Sequence, residues 1–209
     1  MNKKTKLMTE GNIAKNILFF SIPLILGNML QQLYSTVDSV IVGNFVGSNA
    51  LAAVGSSTSL IFLLIGFSQG ASVGAGVIVS QYLGAGEKKG VHDAVHTALA
   101  VAVILGLILT VGGMVLTAPL LRWMNTPQEV FGESVTYLRV YFAGVLFNVI
   151  YNMAAGILNA VGNSKRSVIY LAYASVTNIV LDFLLIIVFG MGVEGAAIAT
   201  DISQLVSGI

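Results

Sequence analysis

The sequence contains no cysteine. Disulfides, thiol catalysis and thiolate metal sites are therefore excluded. Only two histidines are present, His92 and His96, so no zinc site is expected. Charge is also scarce: Asp, Glu, Lys and Arg make up 9% of the chain, against roughly 25% in a soluble domain. A formal net charge of +1 gives no global field that would attract nucleic acid. Nothing matches a nucleophile elbow, a phosphate-binding loop or a metalloprotease helix. With no catalytic set visible, an enzyme is not expected.

What the chain has in quantity is apolar. Hydrophobic residues form 56% of its 209 positions, and its mean hydropathy is +0.89. A soluble chain of this length needs far more polar surface to cover its core. Six apolar segments can be drawn, at about residues 13–42, 50–83, 94–121, 135–161, 167–189 and 195–209. A membrane span takes roughly 20 residues, so the first five are long enough. The sixth stops after about 15 residues, on Ser207-Gly208-Ile209 without a basic flank, and reads as truncated inside a helix. The basic stretch Met1 to Lys6 precedes an apolar run, as in a signal peptide. But polar Thr9-Glu10-Gly11-Asn12 intervenes and no small-residue cleavage site follows, so the first segment reads as a retained membrane helix. The expected fold is an all-α membrane protein, a six-transmembrane-helix bundle in the lipid bilayer with its sixth helix truncated.

Most connections are short and turn-like: Gly43 to Gly47, Gly84 to Gly90, Gly162 to Lys165 and Gly190 to Gly192. The longest is read as Pro119 to Glu133. Short connections make successive helices antiparallel neighbours. With a cytoplasmic N-terminus, the inner side carries Lys3, Lys4, Lys6, Lys15, Lys88, Lys89, Lys165 and Arg166, and the outer side only Arg122 and Arg139. That bias predicts a multi-pass protein of the cell membrane with its N-terminus inside. Pro23 lies within the first helix and predicts a kink. Gly66, Gly70 and Gly74 form a small-residue stripe on the second helix, which predicts close approach of another helix.

Against this background two carboxylates stand out. Asp38 lies near the end of the first apolar segment and Asp182 deep inside the fifth. Placing an ionised carboxylate in hydrocarbon costs at least ~2.5 kcal/mol, so such a residue faces a bundle interior or a water-filled path. At 1.5 Å per residue, Asp182 lies roughly 12 Å, and Asp38 and Thr200 roughly 8 Å, below the outer boundary. Asn178 is one turn before Asp182 and shares its helix face. Four oxygen-bearing side chains from three helices thus share the outer half of the membrane. Carboxylate, amide and hydroxyl oxygens suit a hard cation. The same set can carry a proton and release it when water enters. The alternative is a hydrogen-bond cluster that ties three helices together.

Other polar residues give weaker signals. Gln31 and Tyr34 on the first helix, and Asn148 and Asn152 on the fourth, either bond between helices or line a cavity. Tyr151 and Asn159 extend the second group, while His92 and His96 read as solvated residues at a helix start.

Several segments resemble the multidrug and toxic compound extrusion (MATE) transporters. They are Thr9-Glu10-Gly11-Asn12-Ile13 leading to Ser21-Ile22-Pro23, Asp38-Ser39-Val40-Ile41-Val42-Gly43, and Ala50-Leu51-Ala52-Ala53-Val54-Gly55. Gln81-Tyr82-Leu83-Gly84-Ala85-Gly86, Asn159 to Lys165, and Gly190 to Thr200 continue the ordered set. The resemblance implies a twelve-helix protein of two six-helix lobes, of which this chain is similar to the N-terminal lobe, residues 1–209, with the C-terminal lobe as its missing partner. It implies a cation or proton coupling site at Asp38, Asn178, Asp182 and Thr200, a candidate Na⁺ set. Asp201 departs from the family, where a small or apolar residue is more usual; it adds an acid to the site or faces elsewhere. The implied function is secondary antiport: export of small organic, often cationic, compounds in exchange for Na⁺ or H⁺, by alternating access and with no other cofactor. Two rivals are a lipid-linked oligosaccharide flippase of the same superfamily and a non-transporting structural or receptor subunit. The flippase calls for a basic cavity, and no Lys or Arg is buried in the six segments.

Overall fold

The structure is a computed structural model that describes residues 12–208, with the side chain of Ile13 left out. Lys3, Lys4, Lys6 and the Thr9-Glu10-Gly11 part of the opening motif lie outside the described residues, as does Ile209. Helix α1 runs Ile13–Ile41 and is capped by Asn12, whose Oδ1 accepts the Lys15 N–H at 3.2 Å. That bond satisfies one of the donors that a helix start leaves free. The expected turn from Gly43 to Gly47 is instead helical: α1 continues into a π-helical segment, Val42–Val46, and ends at Gly47, whose φ of +128° suits glycine alone. Helix α2 is Ser48–Gly84, α3 Lys88–Trp123, α4 Gln128–Ala160 and α5 Ser164–Asp182. A second π-helical segment, Phe183–Val188, extends α5, and α6 is Val193–Gly208. Five of these helices are long and apolar enough to cross a membrane.

Helix α4 is the hub. It packs against α2, α3 and α6, while α5 bridges α1 and α6. Its fully buried Leu138, Val145, Val149 and Met153 form the centre of the core, joined by Ala102 of α3 and Ala196 and Ala197 of α6. The lipid-facing surface stays apolar, with Phe62, Leu63, Val115 and Val176 all exposed. That is the expected pattern where lipid, not water, surrounds the bundle.

Two further expectations are corrected. The connection between the third and fourth helices is not Pro119 to Glu133: α3 passes through Pro119 to Trp123, and α4 starts at Gln128. Hydropathy falls where side chains meet water, but the backbone ladder continues beyond that point. A proline inside a membrane helix is tolerated because neighbouring helices compensate the lost bond. Second, among the described residues the Gly66, Gly70 and Gly74 stripe meets no helix: a Cβ on any of them would find nothing within 4 Å. The close approach lies on another face of α2. There Ser72 donates its hydroxyl to the Asn152 carbonyl of α4 at 2.6 Å. A Cβ on Gly156 of α4 would clash with the Ser72 side chain and lie 2.9 Å from its backbone oxygen.

Candidate functional site

Asp38, Asn178, Asp182 and Thr200 come from α1, α5 and α6, which the α1–α5 and α5–α6 contacts hold together. Asp182 is 0% and Asn178 1% exposed, while Asp38 and Thr200 are at 8% and 9%. Asn178 and Asp182 share one face of α5 at i and i+4. The Asn178 Nδ2 donates to Thr200 Oγ1 at 3.4 Å, tying α5 to α6. Asp38 lies within electrostatic range of Asp182.

Four acceptor oxygens in this set are buried without a hydrogen-bond partner: Asp38 Oδ1, Asn178 Oδ1, and both carboxylate oxygens of Asp182. Buried polar atoms are nearly always paired, so orphans clustered on two carboxylates need an explanation. No Lys or Arg lies against them; among the described residues the one contact of this kind is His92 with Asp93, which is an ion pair only when the imidazole is protonated. Every described Lys and Arg is exposed. The set is therefore a buried, net-acidic nest of oxygens. Its donor chemistry fits a hard cation or a proton. Among the described residues no cluster of three His, Cys, Asp or Glu side chains suits a metal ion.

One cavity reaches this set and a second adjoins it. The larger, about 640 Å³, is lined by Asp38 and Thr200 together with Gln31, Tyr34, Tyr137 and Tyr141. The second, about 470 Å³, is lined by Asn152, Tyr151, Asn159 and Ser167, and shares Asn28, Gln31 and Gln69 with the first. Asp38 and Thr200 thus stand at a cavity wall, with Asp182 and Asn178 buried behind them.

The accessory residues divide. Gln31, Tyr34 and Asn152 line a cavity. Asn148 lines neither of the two; its Oδ1 accepts from Asn152 Nδ2 at 2.9 Å within α4. Tyr151 donates its hydroxyl to the Ser167 carbonyl of α5 at 3.2 Å, and Ser167 donates to Asn159 Oδ1 at 3.2 Å. Asp201 also lines neither cavity. It faces α4, its carboxyl lying against Gly144, where a Cβ would collide with it. Pro23 sits inside α1.

Two features escaped the sequence reading. Tyr137, only 4% exposed, lies within electrostatic range of Asp38, Asp182 and Asp201. Its spacing of four from Tyr141 was the available signal. The other feature is the π-helical backbone. Asp182 is the last residue before one π segment, Asp38 stands four before the other, and the two segments pack on each other. Such segments recur at functional sites because they break the regular ladder.

Known proteins share this architecture. The MatE family model matches residues 23–184. The probable multidrug resistance protein YpnP of Bacillus subtilis is 35% identical over 196 residues, covering 94% of this chain and 44% of its own length. The multidrug export protein MepA of Staphylococcus saprophyticus is 24% identical over 200 residues, covering 96% of this chain and 44% of its own. Among solved structures, a MATE protein in a bent conformation is similar at a TM-score of 0.91 and 31% identity, over 99% of this chain and 46% of that one. A MOP superfamily transporter from Pyrococcus furiosus gives a TM-score of 0.92 at 32% identity, over 100% of this chain and 46% of that one. The chain thus spans less than half the length of the relatives it matches. It belongs to the MatE family, the multidrug and toxic compound extrusion transporters.

Proposed function

We propose that this chain is the N-terminal lobe of an antiporter that exports small organic, often cationic, compounds in exchange for Na⁺ or H⁺. Asp38, Asn178, Asp182 and Thr200 form the coupling site. The observation that carries this reading is the group of four orphaned oxygens, two of them on a fully buried carboxylate. The residues act in stages. Asp38 and Thr200 meet the ion at the cavity wall, and Asp182 and Asn178 complete its shell inside. Thr200 accepts from Asn178, so its own hydroxyl proton remains free to donate to a carboxylate. The ion neutralises a charge that is costly to bury and so favours the arrangement in which the shell is closed. A second lobe supplies the facing wall of the cavities, and alternating access follows from rocking of the two lobes. Pro23, inside α1 and well before Asp38 in the helix, gives α1 a point at which to bend. The N-terminus is cytoplasmic and the protein lies in the cell membrane. The names of the relatives, multidrug resistance and multidrug export, support the substrate class. The flippase reading gains no support, because no described Lys or Arg is buried to hold a pyrophosphate.

The test is Asp182→Asn in the two-lobed protein. Asn keeps the volume and the packing but cannot ionise. Export driven by an ion gradient should be abolished while membrane abundance stays near that of the parent. Retained export with unchanged gradient dependence would return the cluster to a purely structural role.

A further inference from the structure

We propose that His92 and His96 form a two-imidazole chelate for a divalent transition cation of the Cu²⁺, Ni²⁺ or Zn²⁺ class, at the exposed start of α3. The two residues are separated by four positions and so lie on one face of the helix. Their ring centroids are 4.0 Å apart, with the planes tilted by 31°. The outer contacts of both rings are already set. The Nδ1 of His96 is 2.8 Å from the His92 carbonyl oxygen. A carbonyl only accepts, so Nδ1 carries the proton and Nε2 holds a free lone pair. The Nδ1 of His92 is 3.5 Å from Asp93 Oδ1; in the neutral ring that contact places the proton on Nδ1 and leaves Nε2 free. Metal-bound imidazoles show this pattern, donating the second ring N–H to a carbonyl or carboxylate that fixes the tautomer.

The surroundings set the class of ligand. Neutral imidazole nitrogens suit Zn²⁺, Cu²⁺ and Ni²⁺, while Mg²⁺ and Ca²⁺ need oxygen ligands. The His92 and Asp93 side chains are 69% and 62% exposed, so water fills the remaining positions. Lys88 and Lys89, on the turn before His92, oppose a cation, and Glu87 and Asp93 offset them. With two protein ligands the site is a surface clip, not the three- or four-ligand zinc site that two histidines without cysteine exclude, and its affinity follows the order Cu²⁺ above Ni²⁺ and Zn²⁺. Occupancy pins the first turns of α3 next to the α2–α3 connection, remote in sequence from Asp38, Asp182 and Thr200.

The composition makes the test clean, because the chain has two histidines and no cysteine. The whole chain, labelled with ¹⁵N-histidine in detergent micelles, is titrated with zinc chloride and followed by NMR. Both Nε2 resonances should move together and saturate at one zinc per chain, while both Nδ1 stay protonated. His96→Gln should remove the joint transition, and Asp93→Asn should weaken it by about 10–100-fold, as for other outer partners of metal-bound histidines. Independent titration of the two rings, coordination through Nδ1, or no shift at millimolar zinc would overturn the proposal.

Discussion

Asn178 donates its Nδ2 to Thr200 Oγ1 across 3.4 Å, and this single contact orients the amide so that its Oδ1 is left buried without a partner. One face of α5 therefore presents an amide oxygen and, one turn on, a whole carboxylate. The hydrogen bond to α6 fixes the amide side chain at this face.

Thr200→Val should expose the weight of that contact. Valine matches threonine in shape but leaves Asn178 Nδ2 buried and unpaired, a cost of about 1–3 kcal/mol. Unfolding of the purified chain in detergent should report a loss of that size, and Thr200→Ser should restore most of it. Equal stability of the valine variant and the parent would mean that the contact does not hold α5 to α6.

The α2–α4 packing gives a paired prediction. Gly156→Ala places a Cβ against Ser72, including its backbone oxygen at 2.9 Å, which a rotamer change cannot relieve. Overpacking of this kind costs about 1–3 kcal/mol. Gly70→Ala meets nothing within 4 Å and should leave stability unchanged or raise it through helix propensity. Melting curves of the two variants compare them directly. Loss of stability at position 70 instead of 156 would reverse the assignment of the packed face.

Orientation is tested by labelling, which the absence of cysteine makes straightforward. Lys88, Lys165 and Glu129 are exposed next to turns. A membrane-impermeant maleimide should reach Lys88→Cys and Lys165→Cys only from the cytoplasmic side, and Glu129→Cys only from outside. External labelling at position 88 would invert the orientation and the depths assigned to the coupling residues.

Much of the fold and of the candidate site was legible because apolar helices make polar atoms conspicuous. An Asp at 0% exposure in an apolar segment announces itself, and the i, i+4 spacing of Asn178 and Asp182 places both on one face. Tyr137 was not legible in this way, since tyrosine is half apolar and reads as core. The lengths of α3 and α4 were underestimated because hydropathy marks the membrane boundary, whereas the backbone ladder runs past it to Lys88 and Gln128. The glycine stripe of α2 was misassigned for a related reason. Spacing shows which residues share a face, but only packing shows which face is covered. The π segments after Asp38 and Asp182 left no trace in composition or hydropathy, which read the same for an i to i+5 ladder as for an i to i+4 one.

The most direct test of the coupling site is the unfolding midpoint of the purified chain as a function of ion. Na⁺ is varied against choline at constant ionic strength, and proton concentration is varied in a parallel series. An ion that binds only the folded state stabilises it by about 2.7 kcal/mol at a hundred times its dissociation constant. The parent should gain stability with one of the two ions, and Asp182→Asn should lose that dependence while remaining folded. A parent indifferent to both ions, or a shift that survives in Asp182→Asn, would contradict the account.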